Sequence, residues 1–154
     1  MVQVKFYDNV DDQLLQFAVI VAKARNQWVI CKHKDRDTFE VPGGHREPNE
    51  TILETAKREL HEETGAVEYT ITPICIYSVM GTDGEDQNFR VKETHAIIEN
   101  QDEIFGMLYY ADIEKFDKLP DFEMEQVILT DELPTKWTYP LIQPKLMEKV
   151  MEIL

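Results

Sequence analysis

The run from Gly44 to Ala66 constrains this chain more than any other part of its sequence. It reads glycine, five residues, Glu50, seven residues, and then Arg-Glu-Leu-His-Glu-Glu-Thr-Gly-Ala. On a helix this spacing places three carboxylates within one and a half turns: Glu59, Glu62 and Glu63. Such a cluster is costly to bury unless something cationic fills it. The run therefore predicts either a solvated acidic helix end or a cation site.

The helical geometry of the run favours a cation site. A helix turns by about 100° per residue, and with Ile52 as zero an apolar arc is completed by Ala56 near ~40°, Leu60 near ~80° and Leu53 near ~100°. Glu63 falls near ~20°, inside this arc, Glu59 near ~340°, on its edge, and Glu62 near ~280°, a little outside. Charge runs usually lie on solvated faces. Two acids on the face that should be buried instead indicate a functional cluster.

The size and charge of the chain limit its partners. Its 154 residues correspond to one domain, residues 1–154, and neither a signal peptide nor a membrane span is evident, so we expect a cytoplasmic protein that binds no membrane. The 16 basic and 30 acidic residues give a net charge of −14, which argues against a nucleic-acid polymer as partner. The negative net charge is compatible with a small phosphorylated substrate, because divalent cations can bridge an acidic site to a polyanion.

Cysteines and histidines indicate no zinc or redox site. Cys31 and Cys75 each lie in an apolar, strand-like run without a nearby second cysteine, and we interpret both as buried reduced thiols. The four histidines show no HxxxH or HExxH spacing. Any metal should therefore have oxygen ligands.

Hydrophobic periodicity predicts strands, a central helix, more strands and a closing helix, typical of an α+β fold with a mixed sheet between helices. Asn49 is predicted to cap the central helix, which spans residues 50–64 with Glu50 in its first turn and Gly65 at its C-terminal end. The predicted strands are 16–23, 28–31, 38–41, 68–80 (one or two strands around Pro73), 89–98, 104–111 and 127–129. The closing helix covers 144–154, with Leu146, Met147, Val150 and Met151 as its apolar stripe.

Gly44 to Ala66 resembles the Nudix box, and the chain around it resembles a MutT-type Nudix hydrolase. Eight tightly specified positions match, and only the last aliphatic place, Ala66, is weak: Gly44, Glu50, Arg58, Glu59, Leu60, Glu62, Glu63 and Gly65. The resemblance extends to residues 39–44, which lead into the box, and to residues 131–134. Residues 39–44 and 109–114 are also similar to bacterial nucleoside triphosphatases that act on oxidised dGTP.

The resemblance implies a Nudix-type α/β/α sandwich and hydrolysis of a nucleoside diphosphate linked to another group, with Mg²⁺ or Mn²⁺. Glu59, Glu62, Glu63 and the Gly43 carbonyl would bind metal, and one of the three glutamates would deprotonate water. Arg58 would orient the carboxylates, although in isolation it could equally form an ordinary helix pair with Glu54 or Glu62. Glu50 and Gly44 would support the metal-binding residues without binding the metal themselves.

Residues outside the box are less constrained. A further metal-binding carboxylate is expected at Glu123, with Glu125 and Glu103 as alternatives. Lys32, Arg36 and Arg46 are candidates for phosphate binding or plain surface charges. A base-binding wall could include Trp28, Phe39, Tyr77 or Asn88. The insertion at 81–103 could provide substrate selectivity, form a homodimer contact or be inert.

Two classes of function follow. The first is an enzyme that splits a nucleoside triphosphate, including an oxidised one such as 8-oxo-dGTP, into monophosphate and pyrophosphate; its competitor acts on ADP-ribose, a nucleotide sugar or a dinucleotide. The second is a module that senses a nucleotide without turning it over. The complete acidic set favours the enzyme, because binding alone would not need every carboxylate.

Overall fold

The computed structural model describes residues 2–81, 103–117 and 124–154, without the side chains of Met124 and Glu125. The predicted strand at 89–98, the candidate ligand Glu123 and the candidate wall residue Asn88 lie outside these residues. No helix in the described ranges is both long enough and apolar enough to cross a membrane.

Eight described strands form one mixed sheet. The strands are β1 (Gln3–Tyr7), β2 (Leu15–Ala24), β3 (Gln27–His33), β4 (Phe39–Glu40), β5 (Gly43–His45), β6 (Ala66–Met80), β7 (Glu103–Phe116) and β8 (Met124–Thr130). Their order is β1-β6-β7-β2-β3-β4, with β5 paired to β2 and β8 to β3. The β2–β7 pair is parallel and the others are antiparallel. The mixed sheet agrees with the prediction.

Two helices cover opposite faces of the sheet. Helix α1 (Ile52–Thr64) buries Ala56 and Leu60 in one apolar cluster, and helix α2 (Gln143–Ile153) buries Leu146, Met147 and Val150 in another. Successive side chains of β2 point to opposite faces of the sheet and join different clusters: Ile20 packs in the cluster of α1 and Val21 in the cluster of α2. The α/β/α sandwich predicted from the sequence is confirmed.

The divergence of β2 and β3 creates the space for a site. The two strands pair only next to their turn, at Lys23 with Trp28 and Ala24 with Gln27. Farther on, β2 pairs with β5 through residues 17–19, and β3 pairs with β4 through Cys31 and Lys32. The segment from β4 through Pro42 to β5 therefore lies between the separating strands, next to α1.

The local predictions were wrong at several positions. Thr51, not Asn49, caps α1: its side chain accepts from the Glu54 amide at 3.1 Å, and Glu54 accepts from the Thr51 amide at 2.8 Å. Asn49 adopts a left-handed conformation with φ of 67°, and Glu50 lies outside the first turn. Leu53 is exposed at 39% and Met151 at 41%, although both were expected in apolar stripes. Strand β1 was not predicted.

Candidate active site

Helix α1 is held at both ends, which fixes the direction in which its acids point. The Thr51–Glu54 capping box satisfies amides of the first turn. At the other end Gly65 takes a φ of 79°, a left-handed conformation that glycine adopts at little cost, and its amide donates to the His61 carbonyl at 2.8 Å. The predicted helix end at Gly65 is confirmed.

The three box glutamates are graded in burial as the helical geometry predicts. Glu63 is 8% exposed, and the side chains of Glu59 and Glu62 are 13% and 34% exposed. Glu63 Oε1 accepts a hydrogen bond from the Gly43 amide at 2.7 Å. Glu59 and Glu63 both line an open cavity of about 480 Å³, together with Gly43 and Gly44. Glu62 is not among the described residues that line this cavity.

Arg58 donates hydrogen bonds to three of the acids of the box. Its Nε and Nη2 donate to the two oxygens of Glu50 at 2.7 and 3.1 Å, and Nη2 also donates to the His45 carbonyl at 2.9 Å. Its Nη1 donates to Glu59 at 2.8 Å and to Glu62 at 3.3 Å. Arg58 makes its bidentate hydrogen bond to Glu50, whereas we expected Arg58 to orient the metal-binding carboxylates. Arg58 therefore connects the loop before α1 with two of the three box acids.

Glu50 is the anionic partner of this arginine. It also accepts from the Thr55 hydroxyl at 2.7 Å and from the Glu47 amide at 3.1 Å. The hydrogen bond from Arg58 is the main reason that the pKa of Glu50 falls to about 2. The same bond raises the pKa of Arg58 further above its usual range. Both groups are charged throughout the physiological range of pH.

Close packing requires glycine at position 44. A Cβ atom there would lie 2.4 Å from the carboxyl carbon of Glu59. The Glu59 carboxylate therefore rests directly against the backbone of the loop, in the space that a side chain would occupy. This contact explains physically why a glycine precedes the acidic helix at this distance in sequence.

The donor chemistry fits a hard divalent cation. Within the described residues no three Asp, Glu, His or Cys side chains converge closely enough to form a complete cage. Magnesium does not need one, because it keeps several waters and is commonly bound through one or two carboxylates. Glu59 and Glu63 could supply such ligands from one wall of the cavity, and backbone oxygen is available at Gly43.

The other predicted residues are only partly brought to this cavity. Arg36 and Tyr77 line it, whereas Lys32, Arg46, Trp28 and Phe39 are not among its described lining residues. Arg46 forms a structural contact instead, since it donates to Asp12 at 2.9 Å and to the Glu50 carbonyl at 2.7 Å. Glu103 accepts from the hydroxyls of Tyr7 and Ser78, both at 2.6 Å, and also lies away from the cavity lining.

Sequence reasoning missed several cavity residues. His45, Phe17, Glu40, Tyr139 and Gln143 all line the cavity. Partial burial lowers the pKa of His45, whose ring centre is 4.4 Å from that of Phe17. Only Glu40 carried a signal in the sequence, as an acid between the apolar residues Phe39 and Val41.

Comparison with known proteins identifies the family. The NUDIX domain model matches residues 13–143, which is most of the chain. The chain belongs to the Nudix family. The predicted family and the predicted enzyme class, a Nudix pyrophosphohydrolase, are thereby confirmed. Members of this family generally use divalent metal ions.

Individual relatives agree with the assignment. The chain is 32% identical over 134 residues to YtkD of Bacillus subtilis (strain 168), which is provisionally named an 8-oxo-dGTP diphosphatase; the match covers 86% of this chain and 73% of that protein. It is also similar to a mutant of the Bacillus subtilis pyrophosphohydrolase BsRppH, with 28% identity, a TM-score of 0.73, and coverage of 99% of this chain and 90% of the other. An ADP-ribose pyrophosphatase from Streptococcus suis shares the fold at 12% identity and a TM-score of 0.58, over 89% of both chains.

Proposed function

We propose that this Nudix hydrolase splits nucleoside triphosphates, including oxidised ones such as 8-oxo-dGTP, into nucleoside monophosphate and pyrophosphate with Mg²⁺ or Mn²⁺. One observation carries the proposal: two box carboxylates, Glu59 and Glu63, line a single cavity beside the Gly43–Gly44 backbone. The similarity to a Bacillus relative named for 8-oxo-dGTP supports a triphosphate substrate. The volume of the cavity, about 480 Å³, lies in the ordinary range for small-molecule sites.

In this proposal Glu59, Glu62, Glu63 and the carbonyl of Gly43 hold the cation, and Glu59 and Glu63 face the substrate. When bound, the ion neutralises phosphate oxygens and lowers the pKa of a coordinated water. Glu62 would hold the cation together with the other two glutamates, and its contact with Arg58, at 3.3 Å, is longer than that of Glu59, at 2.8 Å. The other described acids of the cavity lining, Glu40 and Glu47, lie outside the box helix.

The residues of the chain position the reaction. Arg58 orients Glu59 through a hydrogen bond from Nη1, while Glu50 accepts from Nε of Arg58. The Gly43 amide donates to one oxygen of Glu63 and so fixes the orientation of that carboxylate. Such preorganised ligands avoid rearrangement during the reaction.

The chemical step is a hydrolysis. A water oxygen adds to one phosphorus of the α–β bridge, and the bond from that phosphorus to the bridging oxygen breaks. The proton of the water passes to one of the three box carboxylates, and the bridging oxygen departs with the other product. Nucleoside monophosphate and pyrophosphate result.

A panel of substrates tests the proposal. Nucleoside triphosphates, 8-oxo-dGTP, ADP-ribose and dinucleoside polyphosphates would be supplied with Mg²⁺ and then Mn²⁺, and pyrophosphate, monophosphate and phosphate would be measured. Triphosphates should give pyrophosphate with the highest kcat/KM. A preference for ADP-ribose or a dinucleotide would reject the triphosphatase while leaving the family intact. Tight binding without product over hours would indicate a sensor instead.

A further inference from the structure

Glu40 is a buried acid in the cavity that the box does not explain. It is 6% exposed and belongs to β4, ahead of the short turn through Pro42 into β5. The Gly43–Glu63 hydrogen bond does not involve Glu40, which lies three residues before Gly43 in the sequence.

The backbone around Glu40 is fixed on every side. Strand β4 pairs with β3 through Cys31 and Glu40. The Phe39 amide donates to the Lys136 carbonyl, and the Thr138 amide donates to the Phe39 carbonyl, both at 2.8 Å. The Val41 amide donates to Oε1 of the buried Gln143 at 2.9 Å. A side chain held on such a frame can recognise a ligand with little loss of conformational entropy.

The surroundings of Glu40 suit a planar polar ligand. An Arg36 nitrogen lies 3.6 Å from Glu40 Oε2, and the Arg36 guanidinium carbon lies 5.9 Å from the centre of the Tyr139 ring. Glu40, Arg36 and Tyr139 all line the cavity. Aromatic rings and guanidinium planes are surfaces on which nucleobases stack. This end of the cavity thus combines a stacking surface with a buried acceptor.

The chemistry of Glu40 selects among bases. An ionised carboxylate only accepts hydrogen bonds and has about four acceptor positions, so it can bind ligand donors in addition to its contacts within the protein. Its two oxygens match two adjacent N–H donors in one plane. Guanine presents such a pair, N1–H and the 2-amino group. Adenine presents an N1 lone pair at the same place, which a carboxylate would repel.

We propose that Glu40 is a specificity-determining residue that binds the N1–H and 2-amino edge of a guanine base. The inference rests on the proposed function, because a nucleotide substrate is what brings a base to this end of the cavity. 8-Oxoguanine keeps both donors, so Glu40 selects guanine over other bases and does not distinguish the oxidised from the ordinary form.

Binding of nucleoside monophosphates tests this inference without requiring turnover. Titration calorimetry of the full chain would compare dGMP, dIMP, which lacks the 2-amino group, and dAMP. The wild-type chain should bind dGMP about 10-fold to 100-fold more tightly than dAMP, with dIMP between them. Equal affinity for the three nucleotides in the wild-type chain would overturn the inference without any variant.

The Glu40→Gln variant provides the matched test, because glutamine keeps the shape but replaces one acceptor with a donor. It should lose most of the dGMP preference while its affinity for dAMP stays within about threefold, whereas the exposed Glu148→Gln control should behave as wild type. Equal losses for all three nucleotides, or a changed Mg²⁺ requirement in hydrolysis, would assign Glu40 to packing or metal binding and overturn the inference.

The two proposals fail in different ways. If triphosphates are hydrolysed but Glu40→Gln leaves the dGMP to dAMP ratio unchanged, the inference about Glu40 is wrong and the proposed function stands. If guanine preference depends on Glu40 but no triphosphate is hydrolysed, the reaction is wrong and the recognition stands.

Discussion

Glu63 on α1 accepts a hydrogen bond from the backbone amide of Gly43 on β5, and the N–O distance is 2.7 Å. This bond joins the end of the acidic helix to the start of β5, across twenty residues of sequence. The donor is a backbone group and Glu63 is only 8% exposed, so the carboxylate is held in a fixed position.

Substitution of Glu63 should separate catalysis from folding. Glu63→Gln keeps an amide oxygen that can accept from Gly43, so we expect a nearly unchanged melting temperature, whereas the lost negative charge should reduce kcat by about 100-fold or more. Glu62→Gln should also reduce kcat, since the proposal gives it a metal contact. Pyrophosphate release and thermal unfolding would be measured on both variants. Near-normal turnover in both would reject the metal cluster.

Two adjacent glycines should respond differently to alanine. At Gly44 the new Cβ meets the end of the flexible Glu59 side chain at 2.4 Å, so that carboxylate should be displaced and turnover lost while stability changes little. At Gly43 the Cβ meets the backbone oxygen of Ala18 at 2.6 Å, which cannot move easily, so we expect a loss of about 1–3 kcal/mol in unfolding free energy. Denaturant unfolding and kcat, measured side by side, test both. A fully active Gly44→Ala variant would contradict this account of Glu59.

The cap of α1 can be located by substitution. Thr51→Val removes the oxygen that accepts from the Glu54 amide, and we expect a loss of about 1 kcal/mol, or roughly 2–4 °C in Tm. Asn49→Gly is the control, because glycine tolerates the left-handed conformation of residue 49 and should cost no stability. The reverse ranking of the two variants would restore Asn49 as the cap.

Apart from Leu53, which is exposed, the buried face of α1 was predictable because it depends on helical spacing. The angular positions of Glu63, Glu59 and Glu62 relative to the apolar arc match their order of burial. The mixed sheet and the two helices followed in the same way from alternation and spacing. The cap was missed because Asn49 and Thr51 are both good cap residues, and only the backbone conformation decides between them.

The far end of the cavity was not predictable from local patterns. Glu40, Arg36 and Tyr139 meet because β4 enters the gap between β2 and β3 while the segment before α2 returns to pair with Phe39. Residues a hundred positions apart are joined there, as the Thr38 and Thr138 hydroxyls show at 2.6 Å. No spacing rule in one sequence reports such a contact. The phosphate-binding candidates, chosen by their charge and by their place beside the strand and loop before the helix, therefore divided between the cavity and structural contacts such as that of Arg46.

The acid sensitivity of the fold should depend on Glu50. Its pKa is about 2 in the folded chain against an ordinary value of 4.5, mainly because Arg58 donates to it. A lowered folded-state pKa means that the stabilisation is complete above about pH 5 and is lost as the pH falls from there towards 2. The full difference corresponds to on the order of 3 kcal/mol. Arg58 stays protonated over this whole range, so the change comes from the carboxylate.

The Glu50→Gln variant isolates this contribution from the other acids that titrate in the same range. At pH 7 the variant should be less stable than wild type, since Arg58 loses its charged partner, and the difference in unfolding free energy should shrink steadily between pH 5 and pH 2. Denaturant unfolding at half-unit pH intervals would measure it, with the exposed Glu148→Gln variant as the control. A difference that does not change with pH would mean that Glu50 acts through its hydrogen bonds to Thr55 and Glu47 alone, and that its charge does not hold Arg58 in place.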